Sequence, residues 1–193
     1  MFKGILAALL GALCFCALPT AQAFGEYVPD ATQLTVDTGL DFGGDKLVTV
    51  AFTDGSTKSL NAGDGVFGDV GVLHNFGSSG WGLKGTIGVK YNAISASNGT
   101  ISFIRFPLDV LGIYTYGNHH FGAGLTYVMS PKTNLDGFGP DTDYNNATGL
   151  VLQYQYWLFG LRYTNLKYHV SGICFSGCSF DGSSLGFFAN FVF

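Results

Sequence analysis

Large apolar residues alternate with small or polar residues along several stretches of the chain. In residues 81–91, Leu83 and Ile87 lie on one face, and the lysines of the same stretch lie on the other. The other stretches that alternate in this way are residues 104–114, 121–129, 150–156 and 184–193. A period of two separates the two faces of a β-strand completely, so each stretch predicts a strand.

The composition narrows the fold to two classes. Only 11% of the residues are charged and 47% are hydrophobic, whereas a soluble domain carries about 25% charged residues. These values favour a secreted β-sandwich or a membrane β-barrel, and the acidic net charge of -4 does not suit nucleic-acid binding. Large residues opposite glycine, amide and charge match a sheet that faces lipid outside and a narrow lumen inside. Such a sheet has to close on itself because lipid cannot pair its edges.

The sequence therefore predicts an all-β fold, an eight-stranded antiparallel transmembrane up-and-down β-barrel. The strands are placed at residues 35–53, 66–76, 81–92, 101–115, 119–130, 148–157, 160–169 and 184–193. Short connections at residues 77–80, 117–118 and 159–160 alternate with longer polar ones at 54–65, 95–100, 131–146 and 171–182. In outer-membrane barrels the short turns face the periplasm, and an even strand number puts both termini there. Gly43 and Gly44 interrupt the first strand, and residues 53–56 resemble the tip of a hairpin that extends beyond the membrane.

The beginning of the chain resembles an export signal. Lys3 precedes an apolar run at residues 4–18, and Ala21-Gln22-Ala23 supplies a small-residue cleavage site. The run of 15 residues is shorter than the roughly 20 that span a membrane as a helix, which favours a cleaved signal over a retained anchor. The expected organisation is a signal peptide at 1–23, a periplasmic segment at 24–34 and a barrel domain at 35–193. Removal of Lys3 changes the net charge from -4 to -5.

The last predicted strand ends in Leu185-x-Phe187-x-Ala189-x-Phe191-x-Phe193. This pattern is similar to the terminal signal of the small outer-membrane β-barrels that include the OmpA, OmpX and OmpW families. The resemblance implies insertion into a Gram-negative outer membrane by the barrel-assembly machinery, with Phe187, Phe191 and Phe193 as the assembly signal. It also implies contact with membrane lipid and lipopolysaccharide, and a monomer. That group shares no common activity that could be transferred to this chain.

Six charged residues are expected on the lumen side of the predicted strands: Asp69, Lys84, Lys90, Arg105, Asp109 and Arg162. Buried charges have to be paired, so the first interpretation is a salt-bridged plug that holds the barrel closed. The alternative is a permeation path or switch, which an eight-stranded lumen leaves little room for. On the lipid side, aromatic residues at strand ends are expected to form interfacial girdles: Trp81, Tyr91, Tyr114, Tyr127, Tyr156 and Tyr163.

Cysteine and histidine residues supply the remaining candidate chemistry. Cys174 and Cys178 share the last long loop, and their spacing in an oxidising compartment predicts a disulfide. His169 and Ser171 superficially resemble the histidine and serine of outer-membrane lipid A deacylases, but no acidic partner stands nearby in the sequence. The adjacent pair His119-His120 would point to opposite faces of a strand and could not readily share a metal ion. The sequence predicts no cofactor and no metal site.

Three functions follow from these observations. The leading hypothesis is a barrel without enzymatic activity that is structural or binds surface partners through its outer loops. The second is an OmpW-like conduit for small hydrophobic molecules, which apolar residues inside the outer half of the barrel would favour. The third is a lipid A-modifying enzyme that uses His169 and Ser171.

Overall fold

The computed structural model describes residues 27–52, 54–96, 99–171 and 179–193. These residues form the following strands: β1 (Thr32–Phe42), β2 (Lys46–Ala51), β3 (Thr57–Asn61), β4 (Gly65–Asn75), β5 (Trp81–Ala96), β6 (Gly99–Tyr116), β7 (His119–Asp136), β8 (Thr142–Asp143), β9 (Ala147–Tyr156), β10 (Phe159–His169), β11 (Ser179–Asp181) and β12 (Ser184–Val192). Within the described ranges, no helix is long and apolar enough to cross a membrane.

Eight of the strands form a closed antiparallel ring. The order around the ring is β1, β4, β5, β6, β7, β9, β10 and β12. The ring closes between β12 and β1, where Val192 lies opposite Thr35 and Leu185 lies opposite Phe42. The predicted fold class is confirmed.

The side-chain faces of the ring are those that the alternation predicts. Leu83, Phe106 and Phe187 point outward and are 48%, 39% and 64% exposed. The buried positions between such residues are mostly polar or charged, for example Lys84 and Asp109. A water-soluble sandwich would have the opposite arrangement, with its large apolar residues in a dry core. The outer wall is therefore suited to hydrocarbon.

The predicted first strand at residues 35–53 is wrong, because the chain turns away from the ring after Phe42. Gly43 and Gly44 have φ values of 137° and 79°, which lie in a region that only glycine adopts readily. Beyond them, β2 and β3 pair with each other as a separate two-stranded sheet. Asp54-Gly55 lies at the tip of this hairpin, where the sequence predicts one.

The short turns, the start of β1 and the end of β12 lie at one end of the barrel. The turns at residues 76–80 and 117–118 are confirmed, whereas the third is at 157–158 instead of 159–160. At this third turn Trp157 takes a φ of 56°. The segment before β1 is tied to the first turn, since the Tyr27 hydroxyl donates to the carbonyl oxygens of Phe76 and Trp81 at 3.1 and 3.0 Å.

Three neighbouring strands, β5, β6 and β7, extend far beyond the others at the opposite end. They contain 16, 18 and 18 residues, whereas about 9 to 11 residues cross a membrane as a tilted strand. Pairing along β6 is interrupted on both sides. Pairs with β5 stop at Leu108 and resume at Arg105, with Pro107 between them, and the register with β7 shifts between Ile104 and Phe106.

Candidate functional site: the barrel lumen

Eight charged side chains fill the middle of the lumen, and their signs balance. The carboxylates are Asp37, Asp41, Asp69 and Asp109, and the cations are Lys84, Lys90, Arg105 and Arg162. All are buried except Lys90, whose side chain is 12% exposed. Four positive and four negative charges give a formal sum of zero. We call these eight residues the lumen charge network.

Two lysines of β5 join that strand to β1 across the intervening β4. The Lys84 ammonium lies 2.5 Å from Asp37 Oδ2, and both side chains are at most 5% exposed. The Lys90 ammonium lies 2.5 Å from Asp41 Oδ2. Charge-assisted hydrogen bonds of this kind are about twice as strong as neutral ones. They hold the first strand of the ring to the third.

Arg162 crosses the lumen from β10 and binds two carboxylates on the opposite wall. Its Nη1 donates to Asp69 Oδ2 on β4 at 3.2 Å, and its Nη2 donates to Asp109 Oδ2 on β6. β4 and β6 flank β5, which lies on the other side of the ring from β10. The side chain therefore acts as a strut between opposite walls, and both carboxylates that it contacts are removed from water.

Arg105 holds a loop instead of a carboxylate. Its two terminal nitrogens donate to the main-chain oxygens of Ala62 and Asp64, which follow β3. The guanidinium also lies over the Phe103 ring, 4.4 Å from its centroid. Arg105 thus fastens the returning arm of the β2–β3 hairpin to the barrel wall.

The β2–β3 hairpin folds over the long-loop end of the barrel, and we call residues 46–61 the hairpin cap. Its Leu60 is 0% exposed and packs in a cluster with inward-facing wall residues. The wall residues of this cluster are Ile94, Ile101, Phe103, Val128, Ala147, Leu166 and Tyr168. Asp45, at the base of the cap, donates its backbone N–H to the Asp181 carbonyl of β11 at 2.7 Å, and its side-chain Oδ2 accepts from the Asp181 N–H at 2.8 Å. The mouth at the long-loop end is therefore closed by an apolar core.

The short-turn end of the lumen contains an apolar group beside a group of amides. The apolar group consists of Leu73, Leu111, Ile113 and Val151. Among the amides, Asn190 donates to Thr35 Oγ1 at 2.6 Å and to Asp37 Oδ1. The lumen is thus filled by three layers. The layer at the short-turn end contains apolar and amide side chains, the middle layer is ionic, and the layer beneath the hairpin cap is apolar.

Asp37 and Asp41 are the network members that the sequence analysis misses. They alternate with outward-facing Leu34 and Leu40, which are 58% and 52% exposed, so the period-two signal is present. The predicted strand at residues 35–53 joins β1 to β2, which pairs with β3 and not with the ring. The sequence predicts the tip of the hairpin but not that the hairpin folds over the end of the barrel.

Two inward-facing glycines leave space for network carboxylates. A Cβ atom at Gly88 would overlap Asp69 Oδ1, and one at Gly186 would overlap Asp41 Oδ1. Each overlap also includes the main chain of the neighbouring strand, so neither clash can be relieved by a side-chain rotation alone. These glycines let the carboxylates lie flat against the wall.

We expect Gly88→Ala to lower the free energy of unfolding of the barrel by about 1 to 3 kcal/mol, the usual effect of overpacking. The measurement is urea unfolding followed by heat-modifiable gel migration. Gly85→Ala is the matched control on the same strand, because an added Cβ there has nothing within 4 Å. Equal behaviour of the two variants would show that the close approach at Gly88 is unimportant.

One ion pair lies outside the membrane-spanning part, at the outer rim. Lys132 Nζ is 3.0 Å from Asp141 Oδ2, and the side chains are 39% and 44% exposed. The hydrogen bond from Lys132 lowers the pKa of Asp141, and the same bond raises the pKa of Lys132. Solvent screens an exposed pair of this kind, so it adds little to the stability of the barrel.

His119 and His120 have local hydrogen-bond partners. His119 Nδ1 is 2.9 Å from the Tyr154 hydroxyl, and His120 Nδ1 is 3.0 Å from Thr115 Oγ1, so the two rings serve opposite faces. The Ser171 hydroxyl lies 2.9 Å from Asn145 Oδ1, to which it donates. Within the described residues, no group of three or more His, Cys, Asp or Glu could hold a metal ion.

Three expectations remain predictions, and the first is the signal peptide at residues 1–23, which lies outside the described residues. Cys174 and Cys178 lie outside the described residues, so their disulfide is untested. Of the assembly-signal residues, Phe187 faces outward, and the Phe193 amide donates to the Leu34 carbonyl at 2.9 Å beside the seam of the ring. These contacts place Phe193 at the seam, and its recognition by the assembly machinery stays a prediction.

The closed ring, the apolar outer wall and the polar, filled interior together define the class of protein. In lipid, a sheet is stable only as a closed barrel, because every backbone group has to be paired. The predicted girdle residues face outward on this wall, for example Trp81 and Tyr156, which are 55% and 53% exposed beside short turns. The chain is a small transmembrane β-barrel of the outer-membrane type.

Two solved structures have a similar arrangement. One is Ail, the attachment invasion locus protein of Yersinia pestis, in complex with the heparin analogue sucrose octasulfate; it is 11% identical, with 84% of this chain and 97% of that chain covered and a TM-score of 0.47. The other is the outer membrane protein OprG from Pseudomonas aeruginosa, 14% identical over 84% and 97% of the chains, with a TM-score of 0.45. No protein-family model and no curated protein matches the sequence. The class of the protein is therefore defined by the closed ring of strands and its two faces.

Proposed function

We propose that this chain is an integral outer-membrane protein with both termini in the periplasm and a sealed lumen. Its function is structural or surface-binding, exercised through the outer end of the barrel. The single observation that carries the proposal is the filling of the lumen by balanced charges beneath a hairpin cap. A barrel whose interior is occupied by its own side chains has no room to conduct solutes. It can act only through its lipid-facing wall and through the ends of the barrel.

The outer end has features of a rigid platform. β5, β6 and β7 extend beyond the expected membrane thickness, and the hairpin cap gives this extension its own apolar core. The hairpin cap is held at its base by Arg105 and by Asp181. A segment that is held in this way loses little conformational entropy when it binds a partner. In the membrane, the apolar belt would contact outer-membrane lipid and lipopolysaccharide after insertion by the barrel-assembly machinery.

The orientation is testable by cysteine labelling of intact cells. We expect Lys58→Cys, in the exposed part of the hairpin cap, to react with a membrane-impermeant maleimide. Asn118→Cys, in a short turn, is the matched control and should react only after the outer membrane is permeabilised. The parent chain sets the background from its own cysteines. Labelling of Asn118→Cys alone in intact cells would reverse the proposed orientation.

Sealing is testable by electrical recording in planar bilayers. The refolded protein should produce no channel steps, whereas a general porin in the same membrane should produce them. Stepwise conductance that depends on the amount of refolded protein would contradict the sealed lumen. The heat-denatured sample controls for detergent leaks.

A hydrophobic conduit is the second candidate, and the interrupted wall favours it. Pro107 has no N–H to donate, and pairing between β5 and β6 lapses beside it. On the other side of β6, the bulge lies next to Ser130, whose φ is 46°. An apolar cluster also occupies the outer half of the lumen, although the hairpin cap fills it and the charge network lies beneath it.

A cross-wall disulfide separates the two candidates. The register on both sides of the gap sets Val89 opposite Phe106, so a Val89→Cys/Phe106→Cys variant can lock β5 to β6. If the wall opens for transport, oxidation of this variant should lower uptake of a fluorescent hydrophobic probe, and reduction should restore it. Uptake that is equal with and without the protein would remove the conduit from consideration.

A further inference from the structure

The two faces of the wall exchange character where β5, β6 and β7 extend beyond the other strands. Lower down, outward residues are large and apolar and inward residues are polar, as at Leu108 and Asp109. In the extension, Ile94, Ile101 and Phe103 face inward and pack beneath the hairpin cap. The outward residues between and beside them are small or polar. We call them the polar flank, and they are Ala93, Ser95, Thr100, Ser102, Asn134 and Asp136.

Strand pairing arranges the polar flank as a flat grid of two rows. The rows are Ala93–Ser102–Asn134 and Ser95–Thr100–Asp136. Thr100 Oγ1 donates to Ser95 Oγ at 3.3 Å, and Asn134 Nδ2 donates to Ser102 Oγ at 3.4 Å. Ser102 is buried, and the other five residues are exposed or half-buried. A hydroxyl has one donor and two acceptor lone pairs, so these groups can form further hydrogen bonds.

This exchange of faces marks the outer limit of the hydrocarbon. Hydroxyl and amide groups are costly to bury in hydrocarbon, whereas the residues below them, Tyr91 and Phe106, are large, apolar or aromatic and point outward. The stretch from Ile104 to Thr100 rises about 13 Å along the strand, at about 3.3 Å per residue. The polar flank therefore stands beside the layer directly above the acyl chains.

The flank is confined to one side of the barrel. The other ring strands, β1, β4, β9, β10 and β12, contain between 9 and 11 residues. A tilted strand of about 9 to 11 residues is just long enough to cross the membrane. Only β5, β6 and β7 thus carry a sheet surface into the layer above it.

We propose that the polar flank is a docking surface for the saccharide part of the lipopolysaccharide molecules that surround the barrel. The occupant follows from continuity, because the flank rises directly from the lipid-facing wall. Molecules whose acyl chains contact that wall have their sugars beside the flank. Hydroxyl and amide side chains match sugar hydroxyls, which both donate and accept hydrogen bonds. This inference rests on the proposed outer-membrane location and orientation.

The charges around the flank favour sugar hydroxyls over lipid phosphates. Lys132, just below the flank, is 3.0 Å from Asp141 Oδ2 and lies opposite Asp143 in the strand register. Asp136 adds a further exposed carboxylate. Phosphate recognition relies on cations that donate charge-assisted hydrogen bonds to it, and this lysine is already paired.

The direct test is the intermolecular nuclear Overhauser effect between protein methyl groups and isotope-labelled lipopolysaccharide that has a core oligosaccharide. The refolded barrel is measured in nanodiscs of this lipid. We expect cross-peaks from sugar protons to the methyls of Ala93 and Thr100. Ile94 and Ile101, on the same strands but facing the hairpin cap, are the matched controls and should show none. Acyl-chain protons should give cross-peaks to Leu83 on the wall.

The outcomes separate this inference from the proposed function. Acyl-chain cross-peaks at Leu83 without sugar cross-peaks at Ala93 and Thr100 would overturn the polar flank alone. Sugar cross-peaks of equal strength at Ile94 and Ile101 would also overturn it, because the contact would not follow the outward face. A missing acyl-chain contact at Leu83 would overturn the membrane location, and the flank with it. The cysteine labelling of intact cells tests the orientation independently.

Hydroxyl removal gives a second readout. The urea midpoint of the parent barrel should be higher in vesicles of lipopolysaccharide with core sugars than in vesicles of lipid A, which keeps the phosphates and acyl chains. This difference should shrink in the double variant Ser95→Ala/Thr100→Val. The matched control is Thr49→Val/Ser59→Ala, which removes a similar hydroxyl pair, 3.1 Å apart, from the hairpin cap over the mouth. The control should keep the difference.

Two results of the unfolding measurement would contradict the docking surface. Equal midpoints of the parent barrel in the two kinds of vesicle would assign the lipid contact to phosphates and acyl chains. An equal loss in Ser95→Ala/Thr100→Val and in the hairpin-cap control would show that the position of the hydroxyls is irrelevant.

Discussion

Arg162→Met should lower the free energy of unfolding of the barrel by about 3 to 5 kcal/mol, the usual effect of removing one partner of a buried ion pair. The reason is that Asp69 and Asp109, which are both 2% exposed, lose the cation that they share. Methionine keeps much of the length of the side chain, so the loss of packing is small. The measurement is urea unfolding of the refolded barrel, with the folded fraction read from unboiled gel migration.

Lys132→Met is the matched control for Arg162→Met. It also removes a cation from an ion pair, but that pair is exposed at the rim, where solvent screens the charges, so we expect almost no change in the free energy of unfolding. The triple variant Asp69→Asn/Asp109→Asn/Arg162→Met removes all three charges and should recover part of the stability. Equal losses for Arg162→Met and Lys132→Met would contradict the role of Arg162 as a strut.

Phe103→Ala should destabilise the outer end by about 3 to 5 kcal/mol, the range for removing a buried aromatic ring. Phe103 is 0% exposed and meets the rings of Tyr144 and Tyr168 edge-on at 5.6 and 5.5 Å. It also lies beneath the guanidinium of Arg105. The hairpin cap would lose its apolar support. Arg105, which holds the chain after β3, would also lose the ring that positions its guanidinium.

Limited trypsin digestion measures local loosening of the hairpin cap. Cleavage at Lys46 and Lys58 in the hairpin cap should become faster in Phe103→Ala, while the barrel still migrates as a folded species. Phe42→Ala is the matched control, because Phe42 is 57% exposed on the lipid side and its removal leaves no cavity. If Phe42→Ala accelerates cleavage as much as Phe103→Ala, the apolar core is not what holds the cap.

Alternation predicts the ring well because the barrel wall has one rule for every strand. Lys84 and Lys90 are placed on the lumen side, and Leu83 on the lipid side, from a period of two alone. Because this rule needs only local sequence, it places β4 to β7, β9, β10 and β12 correctly to within a few residues. It also places Arg162 in the lumen, although it cannot name Asp69 and Asp109 as its partners, because they are distant in sequence.

The rule fails where the chain leaves the wall. Val48 and Val50 continue an apolar stretch after Phe42, and nothing local distinguishes a strand in lipid from one in a cap. The contacts that distinguish a cap strand from a wall strand are tertiary contacts, such as that of Leu60 with the inner wall. The double donation of Arg105 to main-chain oxygens leaves no trace in the sequence either, since any residue supplies a carbonyl.

The seam between β12 and β1 has a consequence for membrane insertion. Asn190, on the final strand, donates to Asp37 on the opening strand, and Ser184 lies 3.4 Å from the ammonium of Lys90. Before that strand docks, β1 would present an unpaired backbone edge, which hydrocarbon cannot pair. The final strand closes this backbone edge and completes the polar filling of the lumen at the same position, so we expect edge pairing and lumen filling to form together.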